Sequence, residues 1–212
     1  MAELYHLERL REDQIEEASR VLGRAFQDDP AFIYIFPDPI EGNARIVNHC
    51  ELMILTGIIS GEVYITSSDI EGVAVWHPHR IKDHIINKPS KEIKQRLRKT
   101  SRINVKDPIY MERNGIFAEI VNSIQNEHAN FPHWYLNIIG VDPIHQGKGY
   151  GSKLIKMKLA EIDEQNLPCY LHTEKERNVK IYEHFGFEVI DHAKIPNSEL
   201  ESWSMIRKKK KT

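Results

Sequence analysis

The feature that most constrains this chain is a glycine-rich turn, Gly147-Lys148-Gly149-Tyr150-Gly151. The run before it, Trp134 to Val141, is rich in residues that favour β-strands. The run after it, Tyr150 to Asn166, places apolar residues at helical spacing (Ile155, Leu159 and Ile162) and is stopped by Pro168. A strand, a glycine turn and a helix together favour anion binding, because small residues let several N–H groups converge beside the positive end of the helix.

Two well-known phosphate-binding motifs do not fit this turn. A P-loop requires Gly, four residues and then Gly-Lys-Ser/Thr, but Gly147-Lys148 is followed by Gly149, and Gly140 lies too far upstream. A dinucleotide fingerprint requires Gly-x-Gly-x-x-Gly, whereas the glycines here fall at 147, 149 and 151. The remaining interpretation is a backbone cradle that holds a pyrophosphate without a metal ion.

The composition is that of an ordinary globular domain, and we expect residues 1–212 to form one. With 41% hydrophobic and 28% charged residues and a formal net charge of −2, the chain offers no bulk charge for nucleic acid. Its longest apolar runs are far shorter than the ~20 residues of a membrane span, and its first residues do not resemble a secretory signal. We therefore expect a cytoplasmic protein without a membrane partner. Cys50 and Cys169 sit in apolar patterns, which favours reduced, buried thiols.

Hydrophobic periodicity predicts alternating helices and strands along the whole chain. Helices are predicted at 15–26, 44–59, 108–128, 150–166 and 178–184, with one or two more within 81–102. Strands are predicted at 4–10, 62–66, 72–76, 134–141, 169–173, 187–190 and 203–206. Residues 31–39 fit either a loop or a short helix that brings aromatic side chains to a pocket. The economical fold is a mixed α/β layer structure.

Two sequence blocks resemble the GNAT N-acetyltransferase superfamily. The segment Gln146 to Gly151 is similar to the family signature Gln/Arg-x-x-Gly-x-Gly/Ala, and Asn178 to Phe187 is similar to its second block, a short helix with a tyrosine followed by Gly-Phe and a strand. The run His133 to Leu136 also resembles a branch that contains antibiotic acetyltransferases of the puromycin type. The resemblance covers about 132–190 and implies a central mixed, mostly antiparallel sheet flanked by helices, with splayed strands at a coenzyme A site.

The resemblance also implies acetyl-CoA as the acyl donor and assigns its contacts. The pantetheine would run beside Ile139, Gly140 and Val141. The pyrophosphate would be bound by the backbone amides of seven residues: Gln146, Gly147, Lys148, Gly149, Tyr150, Gly151 and Ser152. The Lys148 side chain is either a phosphate contact or an exposed, solubilising group. Asn178 either binds coenzyme A or caps its helix, since the asparagine commoner in the family falls where this chain has Lys175.

In that family context Tyr182 is predicted to be the general acid that protonates the departing thiolate, the alternative being an ordinary buried aromatic residue. The general base is less well defined, because the strand before the turn contains no acid. Glu174 is a candidate with the right chemistry, and so are Glu119 and His133. No cysteine lies in the two blocks, which favours direct transfer of the acetyl group to a primary amine.

The acceptor and the partners are predicted only by class. A small-molecule amine is the leading acceptor, a protein or peptide amine is the alternative, and a non-catalytic acyl-CoA-binding regulator is a third possibility. His77 and His79 lack a third ligand at a recognised spacing, so we expect no metal. The basic tail, residues 207–212, is expected to be solvated rather than to bind a nucleic-acid partner. The chain is expected to be a monomer or a homodimer.

Overall fold

A seven-stranded sheet with helices on both faces forms the centre of the molecule. The computed structural model describes residues 7–38, 40–81 and 88–209. The strands are β1 Glu8–Arg9, β2 Glu62–Ile65, β3 Gly72–His79, β4 His133–Val141, β5 Cys169–Thr173, β6 Glu188–Lys194 and β7 Glu201–Arg207. The helices are α1 Ile15–Phe26, α2 Pro30–Ile35, α3 Gly42–Ser60, α4 Lys91–Asn104, α5 Pro108–His128, α6 Tyr150–Glu164 and α7 Glu176–His184, with short 3-10 turns at Glu12–Gln14 and Pro143–His145.

The strand order is β1-β2-β3-β4-β5-β7-β6, and every neighbouring pair is antiparallel except β4 and β5. These two parallel strands pair at only two positions, Trp134 with Cys169 and Tyr135 with Tyr170. Beyond Tyr135 they diverge and leave a gap toward their carboxyl ends. This arrangement confirms the predicted mixed, mostly antiparallel sheet and its splayed strands.

A β-bulge interrupts β4 close to this gap. Trp76 of β3 faces Leu136, but the next residue back, Val75, faces Ile138, so Asn137 is the extra residue. In a regular strand Leu136 and Ile138 would share a face. Here Leu136 packs in the cluster around α6 and α7, whereas Ile138 packs in the cluster under α1 and α3. The bulge therefore changes which side chains of β4 reach each face.

Two hydrophobic clusters cover the two faces of the sheet. The first joins α1, α2 and α3 to one face, and the second joins α6 and α7 to the other. Cys50 lies in the first and Cys169 in the second, both fully buried and free, so the predicted buried thiols are confirmed. Burial raises the pKa of both thiols.

The structure settles several open element predictions. Residues 30–35 form a short helix, α2, rather than a loop, and Asp29 caps it by accepting a hydrogen bond from the Ala31 N–H at 3.1 Å. The sequence predicted one or two helices within residues 81–102. The structure has one described helix there, α4, and residues 82–87 lie outside the described residues. The predicted first strand is reduced to Glu8–Arg9, and residues 4–6 lie outside the described part.

Candidate active site

The predicted glycine turn has the backbone geometry of an anion cradle. Gly147 and Gly149 adopt φ values of 77° and 85°, a region that L-residues with a side chain rarely occupy. No described atom lies within 4 Å of a Cβ built at either position, so the backbone conformation and not lack of space requires glycine. Helix α6 begins at Tyr150, and the N–H groups of its first turn have no helix carbonyl to donate to.

A groove of about 620 Å³ runs along this turn, and we call it the turn groove. Ten of the eleven residues predicted to contact coenzyme A line it: Ile139, Gly140, Val141, Gln146, Gly147, Gly149, Tyr150, Gly151, Ser152 and Asn178. They come from the end of β4, the turn, the first turn of α6 and helix α7. Residues predicted from two separate sequence blocks thus meet along one surface.

Lys148 is the exception. Its side chain is not part of the turn-groove wall, because Nζ donates to the Ile144 carbonyl at 3.2 Å and lies 3.5 Å from Nδ1 of His145. Gln146 also differs from expectation. Its backbone N–H donates to the Pro143 carbonyl at 3.4 Å, and its side chain donates to the Val141 carbonyl at 3.1 Å. The amides free to meet an anion are therefore those after Gln146.

Asn178 lies inside helix α7, which begins at Glu176, so the alternative role of an N-cap is wrong. Its side-chain amide donates to the Thr173 hydroxyl at 3.2 Å and lies on the wall of the turn groove. The hydrogen bond to Thr173 fixes Asn178 against the end of β5.

Three basic side chains of the turn groove were not predicted from the sequence. His145, Lys175 and Arg177 line it, and Arg177 is exposed. Lys175 forms an ion pair with Asp29 at 3.2 Å, which ties the N-cap of α2 to the N-cap of α7. Burial raises the pKa of Asp29, partly offset by Lys175.

A second, smaller cavity of about 210 Å³ opens beside the turn groove, and we call it the inner cavity. Its wall includes the aromatic rings of Phe26, Phe32 and Phe117, together with residues from α3, β4 and β5. Five residues line both spaces: Phe26, Asp29, Ile139, Asn178 and Tyr182. The N-terminal half of the chain, whose role the sequence did not define, thus forms part of the wall of the inner cavity.

Tyr182 stands at the junction of the two spaces. It is 8% exposed, and its hydroxyl forms no hydrogen bond with any described residue. Burial, followed by the charges of Glu174 and Asp29, raises the pKa of its phenol. The phenol therefore stays neutral, in a residue that lines both spaces.

Of the three predicted base candidates, Glu174 alone lines the inner cavity. Glu119 is exposed on α5. His133 is fully buried, and both of its ring nitrogens are occupied, by Gln125 at 2.9 Å and by the Phe131 carbonyl at 2.7 Å. His133 and Glu119 therefore lack access to a substrate in the inner cavity.

Glu174 is held by two hydrogen bonds. Its Oε1 accepts from Nδ1 of His172 at 2.8 Å and from the Ser202 hydroxyl at 2.9 Å. The other ring nitrogen of His172, Nε2, lies 2.8 Å from the Tyr135 hydroxyl. The sequence did not point to Tyr135 or His172, because the two come together only through the pairing of β4 with β5.

The sequence of this chain is similar to known acetyltransferases. The family model described as an acetyltransferase (GNAT) domain matches residues 108–189. An uncharacterised N-acetyltransferase of Schizosaccharomyces pombe is 29% identical over 185 residues, which is 84% of this chain and 72% of that protein. Residues 108–189 thus match a GNAT acetyltransferase domain, and the chain is similar over most of its length to an N-acetyltransferase. These matches support an acyltransferase enzyme.

Solved structures agree with this GNAT fold. A Corynebacterium glutamicum protein described as a histone acetyltransferase HPA2 and related acetyltransferase aligns over 97% of both chains, with a TM-score of 0.67 and 21% identity. Arylalkylamine N-acetyltransferase 2 of Aedes aegypti aligns over 95% of this chain and 97% of its own, with a TM-score of 0.62 and 14% identity. At such identities these similarities establish the fold only. The comparisons also leave open the antibiotic-acetyltransferase branch suggested by residues 133–136.

Two other predictions concern metal binding and membrane spanning. Within residues 7–38, 40–81 and 88–209, no group of three or more His, Cys, Asp or Glu residues is placed to hold a metal ion. His77 lies near the Ser60 hydroxyl, and His79 stacks on His133. None of the described helices is both long and apolar enough to cross a bilayer.

The start of the basic tail is paired with acidic residues. Arg207 binds Asp163 through two hydrogen bonds of 2.5 and 2.9 Å, and Lys208 binds Glu188 at 2.7 Å. Residues 210–212 of the predicted tail lie outside the described part of the chain.

Proposed function

We propose that this acetyltransferase moves an acetyl group from acetyl-CoA directly to the primary amine of a small molecule. The observation that carries the proposal is the meeting of the turn groove and the inner cavity at Tyr182. One space suits a long phosphorylated donor and the other a compact acceptor. Because both halves of the chain line the inner cavity, we propose that residues 1–212 act as one catalytic domain.

The turn groove is proposed to hold acetyl-CoA. The amides from Gly147 to Ser152 and the dipole of α6 would bind the pyrophosphate, with Arg177 adding positive charge. The unpaired edge of β4 at Ile139 to Val141 would bind the pantetheine, because β5 has already diverged from it. When bound there, acetyl-CoA supplies an acetyl group activated as a thioester.

The inner cavity is proposed to hold the acceptor. Its volume of about 210 Å³ suits a small molecule better than a folded protein surface, and its aromatic wall suits an apolar body. Glu174 provides a carboxylate that attracts a protonated amine. Asp29 contributes less, because Lys175 already neutralises it at 3.2 Å.

The two sides of the junction supply acid and base. Tyr182 keeps its proton until a thiolate forms beside it, because burial raises the pKa of the phenol. Glu174 supplies the negative charge that draws the proton from the ammonium group of the acceptor, which must become neutral before it attacks. A backbone N–H near Val141 would stabilise the negative charge on the acyl oxygen.

The test is a thiol-release assay over a panel of amines, antibiotics, polyamines and peptides. At least one small amine should cause release of coenzyme A thiol, and Tyr182→Phe should lower kcat by about 10²-fold or more with little change in KM for acetyl-CoA. Tyr170→Phe is the matched control, because Tyr170 is a buried tyrosine outside both spaces. Acetyl-CoA binding without release over the whole panel would instead indicate an acyl-CoA-binding regulator.

A further inference from the structure

Three side chains of the inner cavity form a continuous hydrogen-bond chain. The Tyr135 hydroxyl lies 2.8 Å from Nε2 of His172, and Nδ1 of His172 lies 2.8 Å from Oε1 of Glu174. All three residues line the inner cavity. Ser202 donates to the same Oε1 from β7 at 2.9 Å and fixes the far end of the chain.

The direction of these hydrogen bonds follows from the groups involved. A carboxylate only accepts hydrogen bonds, so Nδ1 of His172 carries the proton that it donates to Glu174. A neutral imidazole then has an acceptor at Nε2, which receives the Tyr135 hydroxyl proton. Burial, with the nearby Tyr170 and Glu174, raises the pKa of Tyr135, so its hydroxyl stays protonated.

Aromatic packing and strand pairing position this hydrogen-bond chain. The ring of Tyr135 stacks on His172 with centroids 5.9 Å apart, and the Phe117 and His172 rings form a T-shaped pair with centroids 5.8 Å apart. Tyr135 is also the last residue of β4 that pairs with β5, and His172 lies two positions past the partner of Tyr135 on β5. The hydrogen-bond chain therefore begins where strands β4 and β5 part.

We propose that Tyr135 and His172 carry the amine proton away from the acceptor, with Glu174 holding the charge that forms on His172. This proposal rests on the proposed function and specifies the route of the proton. Tyr135 is the residue that contacts the amine. His172 is a positioning residue and proton store, because it acts through Tyr135.

The protons balance along this route. As an N–H bond of the ammonium breaks, its electron pair stays on nitrogen and the proton moves to the Tyr135 oxygen. The original Tyr135 proton passes to Nε2 of His172, which becomes an imidazolium beside the Glu174 carboxylate. A second proton leaves nitrogen when the amide forms and replaces the one that Tyr182 gives to the thiolate. His172 then releases its proton to solvent, so turnover releases one proton overall.

The experiment compares two tyrosine variants with an amine that the wild type accepts. Tyr135→Phe removes the hydroxyl but keeps the ring, and we expect kcat to fall by about 10²-fold with KM for acetyl-CoA unchanged. Tyr170→Phe is the control, because Tyr170 pairs with Tyr135 across the strands and donates to Ser204 at 2.9 Å, outside the inner cavity. We expect its kcat to stay within threefold of the wild type.

A second variant tests the proton store. His172→Ala should lose a similar factor in kcat and regain at least tenfold when free imidazole is added, which a purely structural loss would not show. A downfield N–H proton resonance should be present in the wild type without substrate and absent from His172→Ala, which tests the hydrogen-bond chain itself.

The outcomes separate the two proposals. If the wild type turns over while Tyr135→Phe matches Tyr170→Phe, the relay is refuted and the acetyltransferase function stands. Failure of imidazole to restore His172→Ala also counts against the relay. If no amine releases thiol from the wild type, the proposed function is refuted and the relay falls with it.

Discussion

The buried lysine of helix α6 gives a sharp stability prediction. The side chain of Lys158 is 0% exposed, and Nζ lies 2.5 Å from Oε2 of Glu62 and 2.7 Å from Oε1 of Glu161. It also lies 3.7 Å from the ring centroid of Trp134. Replacing Lys158 with Met keeps the apolar stem and removes the cation.

The magnitude follows from what Glu62 retains. Breaking one partner of a buried ion pair costs about 3–5 kcal/mol, because the remaining charge stays buried. Glu62 keeps Arg9 at 2.6 Å and the Tyr64 hydroxyl at 2.9 Å, so we expect the lower end, about 3 kcal/mol. At roughly 2–4 °C per kcal/mol for a chain of this size, Tm should fall by roughly 6–12 °C.

The assay is urea unfolding of Lys158→Met, of Glu62→Gln and of the double variant. The double variant should be less destabilised than the sum of the single variants by more than about 1 kcal/mol. Lys180→Met is the control, because Lys180 is 82% exposed in its pair with Glu183 and should change stability by less than about 0.5 kcal/mol. A Lys158→Met variant within about 1 kcal/mol of the wild type would refute the reasoning.

Further predictions use the glycines and a buried histidine. Gly140→Ala places a Cβ 2.8 Å from the Leu22 side chain, so urea unfolding should show a loss of about 1–3 kcal/mol, whereas Gly115→Ala, with open space around it, should gain about 0.5–1 kcal/mol. If both variants shift stability in the same direction, this packing argument is wrong. Gly149→Ala puts a residue with a side chain at a φ of 85°, so the free energy of unfolding should fall by about 1–2 kcal/mol and KM for acetyl-CoA should rise. An unchanged stability together with an unchanged KM would contradict the role of the turn as an anion cradle. Burial, helped by His79, lowers the pKa of His133 from its ordinary 6.5 to about 4, so the unfolded chain binds the proton more readily. Stability should therefore fall by up to about 3 kcal/mol as pH drops from 6.5 to 4, and equal unfolding midpoints at both pH values would argue against it.

The elements with strong local patterns could be predicted from the sequence. Helix α1 and the strand before the glycine turn were predicted to within one or two residues, because their residue pattern is a property of the segment alone. The turn itself was predicted because glycine spacing and a following helix describe an anion site without any tertiary contact.

Residues whose role depends on tertiary contacts could not be predicted in this way. Lys158 lies on the same face of α6 as Ile155 and Ile162, where a lysine normally indicates solvent exposure. It is buried because Glu62 on a distant strand meets it. The sequence left the Lys148 side chain either a phosphate contact or an exposed role. In the structure it donates to the Ile144 carbonyl, since that acceptor lies within reach in the folded turn.

The short pairing between β4 and β5 explains why both spaces of the site lie at one place. Tyr135 with Tyr170 is the last pair, and two residues further along each strand lie Asn137, the bulge residue, and His172. The bulge occupies the β3 side of β4 and turns Ile138 toward α1, while the gap on the other side opens the inner cavity. Had the strands stayed paired to Thr173, that residue would face Ile138, directly before the edge proposed for pantetheine, and the gap between the strands would close. The splay therefore opens the inner cavity beside the β4 edge proposed for pantetheine, with Tyr135 at the point where the two strands part.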